Sequence, residues 1–304
     1  AMSLIHSHWD RRRSRQRGMV LVIVLWIVTL LAVMAGSFAY SMRTETRLAT
    51  SAVERSQARA LAEAGIAYAL AWQLDLESGS KLWPPNDDPH EWFFGGRRLR
   101  IQVTDANGLV NLNTADADLL NALFTGVGMD SADAEHLIAA ILDWRESDQQ
   151  RQFGVASRPE LRSTGQFRSK KARFESIEEL QQIEGVTKEI YERIANGVTA
   201  FSNHAGISPE LTPAWLLQTL GLDEQAVADY VTARARAAAD GAAPPPLPSN
   251  GKQFFSSGGH TNVYHIAVAV ETETGTTINV KVVADVQGGF PSRSPRLLAW
   301  REGH

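Results

Sequence analysis

Residues 19–40 read MVLVIVLWIVTLLAVMAGSFAY, and no charge interrupts the chain until Arg43. As a helix rising about 1.5 Å per residue, this stretch is about 33 Å long, close to the hydrocarbon thickness of a bilayer. A soluble core helix of such length would carry a polar face, and this one carries none. Directly before it stand Arg11, Arg12, Arg13, Arg15 and Arg17, with Asp10 as the one acid in the first 18 residues. The positive-inside rule then predicts a cytoplasmic N-terminus and a body on the far side of the membrane.

Downstream of the apolar run, residues 41–78 hold no proline and keep helical spacing through Leu48, Ala52, Ala58, Ala62, Ile66 and Ala69 or Leu70. This predicts either an amphipathic helix lying on its own domain or one continuous helix of about 60 residues that runs out of the membrane. Gly36 and Ser37 are small enough to allow close helix contact.

Further along, residues 80–96 read as loop, with Pro84, Pro85, Pro89 and a glycine pair. RRLRIQVT at 97–104 alternates like a half-buried strand. DANGLVNLNTA at 105–115 reads as a turn, a short extended piece and a helix cap at Thr114. Helices are expected over 116–124, 131–144, 176–183, 188–194, 213–220 and 223–239, and a stiff proline-rich linker over 243–250. Strands are expected over 262–271 and 276–286 and near 297–300, with a hairpin turn at 271–275. The order (long helix, strand, helical block, strands) predicts an α+β fold. A pilin-like N-terminal helix packs on a small antiparallel sheet built from 80–113 and 251–304. A large all-α domain of helix-hairpin-helix or SAM-like type, 114–242, is inserted between strands.

The chain has 304 residues and a formal charge of −4; the first 18 residues carry +4, which leaves −8 on the remainder. An acidic body collects phosphate backbones poorly, so nucleic acid is not an expected partner. With no cysteine there is no disulfide, thiolate metal site or cysteine nucleophile.

The apolar run admits three readings: a secretory signal cut near AGSFA, an uncleaved anchor, or a leader cut before the run rather than after it. The RQRG junction at 15–18 followed by Met19 favours the last. Together with the run containing VLW and with LAEAGIAYAL downstream, it resembles the minor pseudopilins of type II secretion systems, most closely the general secretion pathway protein K family (GspK/XcpX). DANGLVNLNTA, AAILDWRESD, FESIEELQQIEGVT and the terminal AWRE look like landmarks of that family. The resemblance implies a leader of residues 1–18 cut by prepilin peptidase between Gly18 and Met19, a membrane helix over 19–40 and a periplasmic extension over 41–79. It implies a single-pass inner-membrane protein that forms or caps the tip of a periplasmic pseudopilus and helps start its assembly for export of folded proteins. Partners would be minor pseudopilins of the I and J types, the inner-membrane assembly platform and lipid. Most pilin-like chains have glutamate at the fifth mature position; this chain has Ile23, and the lack of that glutamate is itself a feature of the K family. A lone carboxylate in lipid is costly unless paired, so a subunit with no neighbour above it is better served by isoleucine.

Two motifs suggest other chemistry. Asp143, Glu146 and Asp148 in DWRESDQQ are oxygen ligands of the kind calcium uses, although Gln149 and Gln150 stand where further acids would be expected. NLNTADADLL with GVG at 126–128, and IEELQQIEGVTKEIYERI, resemble the helix-hairpin-helix elements of membrane-anchored DNA receptors of competence type, the alternative reading. The histidines show no HExxH spacing, and there is no GxSxG or P-loop. No enzymatic activity is expected.

Overall fold

The computed structural model describes residues 11–75, 83–145, 171–202, 204–247, 252–256, 258–272, 275–286 and 295–303, and the side chains of 11–18 are not described. The chain divides into two compact units, one up to Gln57 and one from Ala58 onward.

The described part of the first unit is helix, the leading part of α1 (Arg11–Leu74). No proline interrupts its 64 residues. Thr29, Thr44, Thr46 and Thr50 each donate a hydroxyl to the carbonyl four residues earlier, at 2.7, 3.1, 2.8 and 2.9 Å. These bonds leave no threonine hydroxyl unsatisfied on the apolar helix.

The second unit is built on a five-stranded antiparallel sheet in the order β1 (His90–Phe94), β2 (Arg97–Asp105), β5 (Val263–Glu271), β6 (Thr277–Asp285), β7 (Arg296–Gly303). Leu99, Ile101 and Val103 alternate inward on β2, as do Ile266, Val268 and Val270 on β5 and Val280, Val282 and Ala284 on β6. Onto this apolar face pack Ala58, Ala62, Ile66, Ala69 and Leu70 of α1. Their spacing makes one stripe of a helix. Small residues bring the helix close: a Cβ on Gly65 would meet Val268 Cγ1 at 3.0 Å and Leu99 Cδ2 at 3.2 Å.

Although β2 and β5 are neighbours in the sheet, residues 106–262 separate them in sequence. The described part of that stretch contains β3 (Val110–Asn111), α2 (Ala117–Gly126), α3 (Ser131–Arg145), α4 (Lys188–Ile194), β4 (Val198–Thr199), α5 (Ala214–Thr219) and α6 (Glu224–Asp240). It has a core of its own around Leu120, Leu123, Phe124, Leu137, Ile141, Leu180 and Ile194. The architecture is therefore the expected α+β fold, with a helical block between two strands of a pilin-like sheet.

Three local expectations need correction. His90–Phe94 is a strand, not loop; Glu91 to Phe94 pair with Arg100 to Arg97 around a turn at Gly95 and Gly96 with φ 58° and 76°. Val110 and Asn111 leave the main sheet and pair in parallel with Val198 and Thr199. The cap of α2 is Asp116, whose side chain accepts from Leu119 N at 2.8 Å, because the Thr114 hydroxyl is spent on the carbonyl of His204 at 2.9 Å. The other helices start as their sequences direct, with Thr187 capping α4 and Asp223 capping α6.

Candidate assembly interface

In α1, every residue from Met19 to Met42 is exposed in the isolated chain. Trp26, Phe38 and Tyr40 expose 74%, 69% and 76% of their surface. A stretch with mean hydropathy 2.8 and no burial against its own chain needs another apolar medium, either lipid or neighbouring helices. Ile23 lies on this exposed surface, and the first carboxylate after Met19 is Glu45. Gly18 and Met19 both lie within the helical backbone of α1.

In the second unit, a groove of about 840 Å³ runs between α1 and β7. Its walls are Ile66, Ala67, Leu70, Ala71 and Leu74 from the helix and Leu297 and Trp300 from the strand. Arg59 stands at its rim, 3.2 Å from both Glu63 and Glu302, with its guanidinium 5.5 Å from the Trp300 ring centre. Among the described residues β7 is an edge strand, paired only with β6. The groove thus offers an apolar surface with a charged rim beside a sheet edge.

Of the candidate calcium ligands, one falls among the described residues. Asp143 is exposed near the end of α3, whereas Glu146 and Asp148 lie outside the described residues. Among the described residues no group of three or more histidines and carboxylates is close enough to hold a metal. The end of α3 is anchored by other means: Trp144 Nε1 donates to Glu179 at 3.2 Å and Arg145 Nη1 to the carbonyl of Leu112 at 2.9 Å.

The helix-hairpin-helix motifs also acquire a geometry. In the first, the N–H groups of Val127, Gly128 and Met129 donate to the carbonyls of Leu123, Thr125 and Phe124 at 3.1, 2.9 and 3.0 Å. These are the donors a phosphate would need, and they are engaged. Gly126 is pressed against α5, where a Cβ would come within 1.9 Å of the Thr219 carbonyl oxygen. Its glycine serves helix packing.

Residues 101–203 match the family model described as type II secretion system, protein K. The matched region opens inside β2 and closes just beyond β4, so it holds the start of the helical block and both hairpins. A curated relative, type II secretion system protein K of Klebsiella pneumoniae, is 24% identical over 214 residues; the match spans 62% of this chain and 64% of that protein, less than two thirds of its length. A chain in the crystal structure of the GspK-GspI-GspJ complex from the enterotoxigenic Escherichia coli type 2 secretion system superposes with a TM-score of 0.54 at 14% identity, covering 84% of this chain and 99% of that one. At that identity the likeness is one of fold.

Sequence reasoning passed over several polar residues in and beside the matched region. Asp105 is fully buried and accepts from the backbone N–H of Asn107 at 2.9 Å, from the N–H of Thr261 at 2.9 Å and from its hydroxyl at 2.7 Å. His260 Nδ1 lies 3.4 Å from the same carboxylate, a contact that raises the pKa of this histidine. His265, on β5, pairs with Thr199 Oγ1 on β4 at 3.0 Å. Burial, with Arg301 nearby, lowers its pKa to about 3. DANGLVNLNTA was the available signal, because an Asp and an Asn at the end of a strand offer exactly one turn's worth of side-chain acceptors, but their partners lie far away in sequence.

Proposed function

We propose that this chain is a minor pseudopilin of a type II secretion system, which forms or caps the tip of a periplasmic pseudopilus and helps start its assembly for export of folded proteins. The observation that carries the reading is the protein K match over residues 101–203, next to a pilin-like sheet, on a chain whose helix leaves 19–42 uncovered. The role is one of assembly, not catalysis. Prepilin peptidase cuts between Gly18 and Met19, which keeps the apolar helix in the mature chain. That helix anchors the protein once in the inner membrane, N-terminus cytoplasmic and body periplasmic, supported by the five leader arginines. Minor pseudopilins of the I and J types and the assembly platform are its partners, with the groove between α1 and β7 receiving an apolar segment of one of them.

At the fifth mature position, Ile23 suits a subunit with none above it, and the helical block adds bulk that obstructs further addition. Calcium held by Asp143, Glu146 and Asp148 belongs to the same proposal. Replacing Gly18 tests the leader: Gly18→Val should leave the uncut chain about 2 kDa heavier on a denaturing gel, by the mass of about 18 residues. Identical mobility of the variant and the parent would remove the basis for the prepilin reading.

A further inference from the structure

The sheet and the helical block have separate apolar cores with no residue in common. Among the described residues, a small apolar cluster, Ala106, Val263 and Val283 with Phe201, Leu298 and Ala299 packed against it, lies between them. The rest of the seam is polar. Asp105 ties the end of β2 to Thr261, just before β5. Asn107, bonded to Asp105 across the seam, anchors the network inside the block: its side chain donates to the carbonyl of Gly259 at 2.9 Å and accepts from Ser202 Oγ at 2.7 Å, and its own carbonyl accepts from Ser208 N at 2.8 Å. Ser208 Oγ in turn accepts from Gly258 N at 3.0 Å. Asp105, Asn107, Ser202 and Ser208 are all buried. Further along the seam, His265 meets Thr199, Lys281 donates to Asn196 at 2.8 Å, and Arg301 reaches Glu178 at 2.9 Å.

Folded units joined by a modest apolar contact ordinarily move relative to each other. Hydrogen bonds are directional and buried ones are costly to leave unmade, so a polar seam of this depth admits one arrangement where apolar contact would tolerate sliding. We propose that the seam centred on Asp105, Asn107 and Thr261 is an angular lock, which holds the helical block at one fixed orientation on the sheet. Both halves keep their own cores, so loosening the lock frees the block without melting either half.

The chain has no cysteine, so two spin labels can be placed cleanly, through Ala139→Cys on α3 and Thr277→Cys on β6, both exposed positions. The full-length protein in detergent should give a single narrow distance distribution. Thr261→Val removes the shortest bond to Asp105 with little change of shape, and Asp105→Asn weakens the hub; each should broaden the distribution. Val283→Ala trims the apolar contact instead and should leave it narrow. A distribution as narrow in Thr261→Val as in the parent overturns the proposal. So does equal broadening in Val283→Ala, because apolar contact would then set the angle.

Discussion

Acid should weaken this fold through His265. In the unfolded chain its imidazole titrates near 6.5, and in the folded chain near 3. Between those values the unfolded state holds a proton that the folded state refuses, so stability is complete above the unfolded value and falls as pH drops. The full interval corresponds to about 5 kcal/mol at 1.36 kcal/mol per unit. His265 lines a cavity of about 120 Å³ together with Asp87, Lys281 and Arg301, and water entering it would relieve part of the charge. A loss of about 2 kcal/mol between pH 7 and 4.5 is therefore expected, or about 3 °C in melting temperature for a chain of this size. His260, raised by Asp105, and Asp87, raised by burial, shift stability the other way as pH falls. The informative quantity is thus a difference. Melting of the full chain in detergent, followed by tryptophan fluorescence, should show the parent losing more between pH 7 and 4.5 than His265→Gln does. Gln can still bond Thr199, so packing is kept. Equal losses in the two proteins would refute the reasoning.

Other outcomes follow from the same contacts. Gly126→Ala forces a Cβ against the Thr219 carbonyl and should cost about 1–3 kcal/mol by prising α2 from α5, seen as a lower melting temperature. Ile23→Glu puts an unpaired carboxylate into lipid at about 2.5–3.5 kcal/mol and should reduce secretion of a reporter protein; undiminished secretion counts against the tip assignment. Calcium at about 100 times its dissociation constant should raise the melting temperature by several degrees, and Asp143→Asn should abolish the rise; a flat titration of the parent removes calcium from the account.

The sequence announced what depends on local pattern. The long helix, the alternation at 97–105, 263–271 and 277–285 and the main helices of the block follow from periodicity and caps. It concealed β1, because HEWFF lies between prolines and a glycine pair, and its strand character comes from pairing with β2 and from the stacking of Trp92 on Tyr68 at 4.3 Å. Thr114 and Asp116 are equally good caps on paper; only the fold, by bringing the His204 carbonyl to Thr114, decides between them. The polar seam was illegible for the same reason. Asp105, Asn107, Thr199, Ser202, Ser208, Thr261 and His265 form no motif in sequence and meet only because the block leaves and rejoins neighbouring strands.

The central claim is that this helix and head build the tip of a pseudopilus with other minor subunits. Co-expression of the full chain with minor pseudopilins of the I and J types, followed by purification on a tag carried by this chain alone, tests it directly. A stable complex containing all three is the predicted result. Recovery of this chain alone, while the other two purify together, would contradict it.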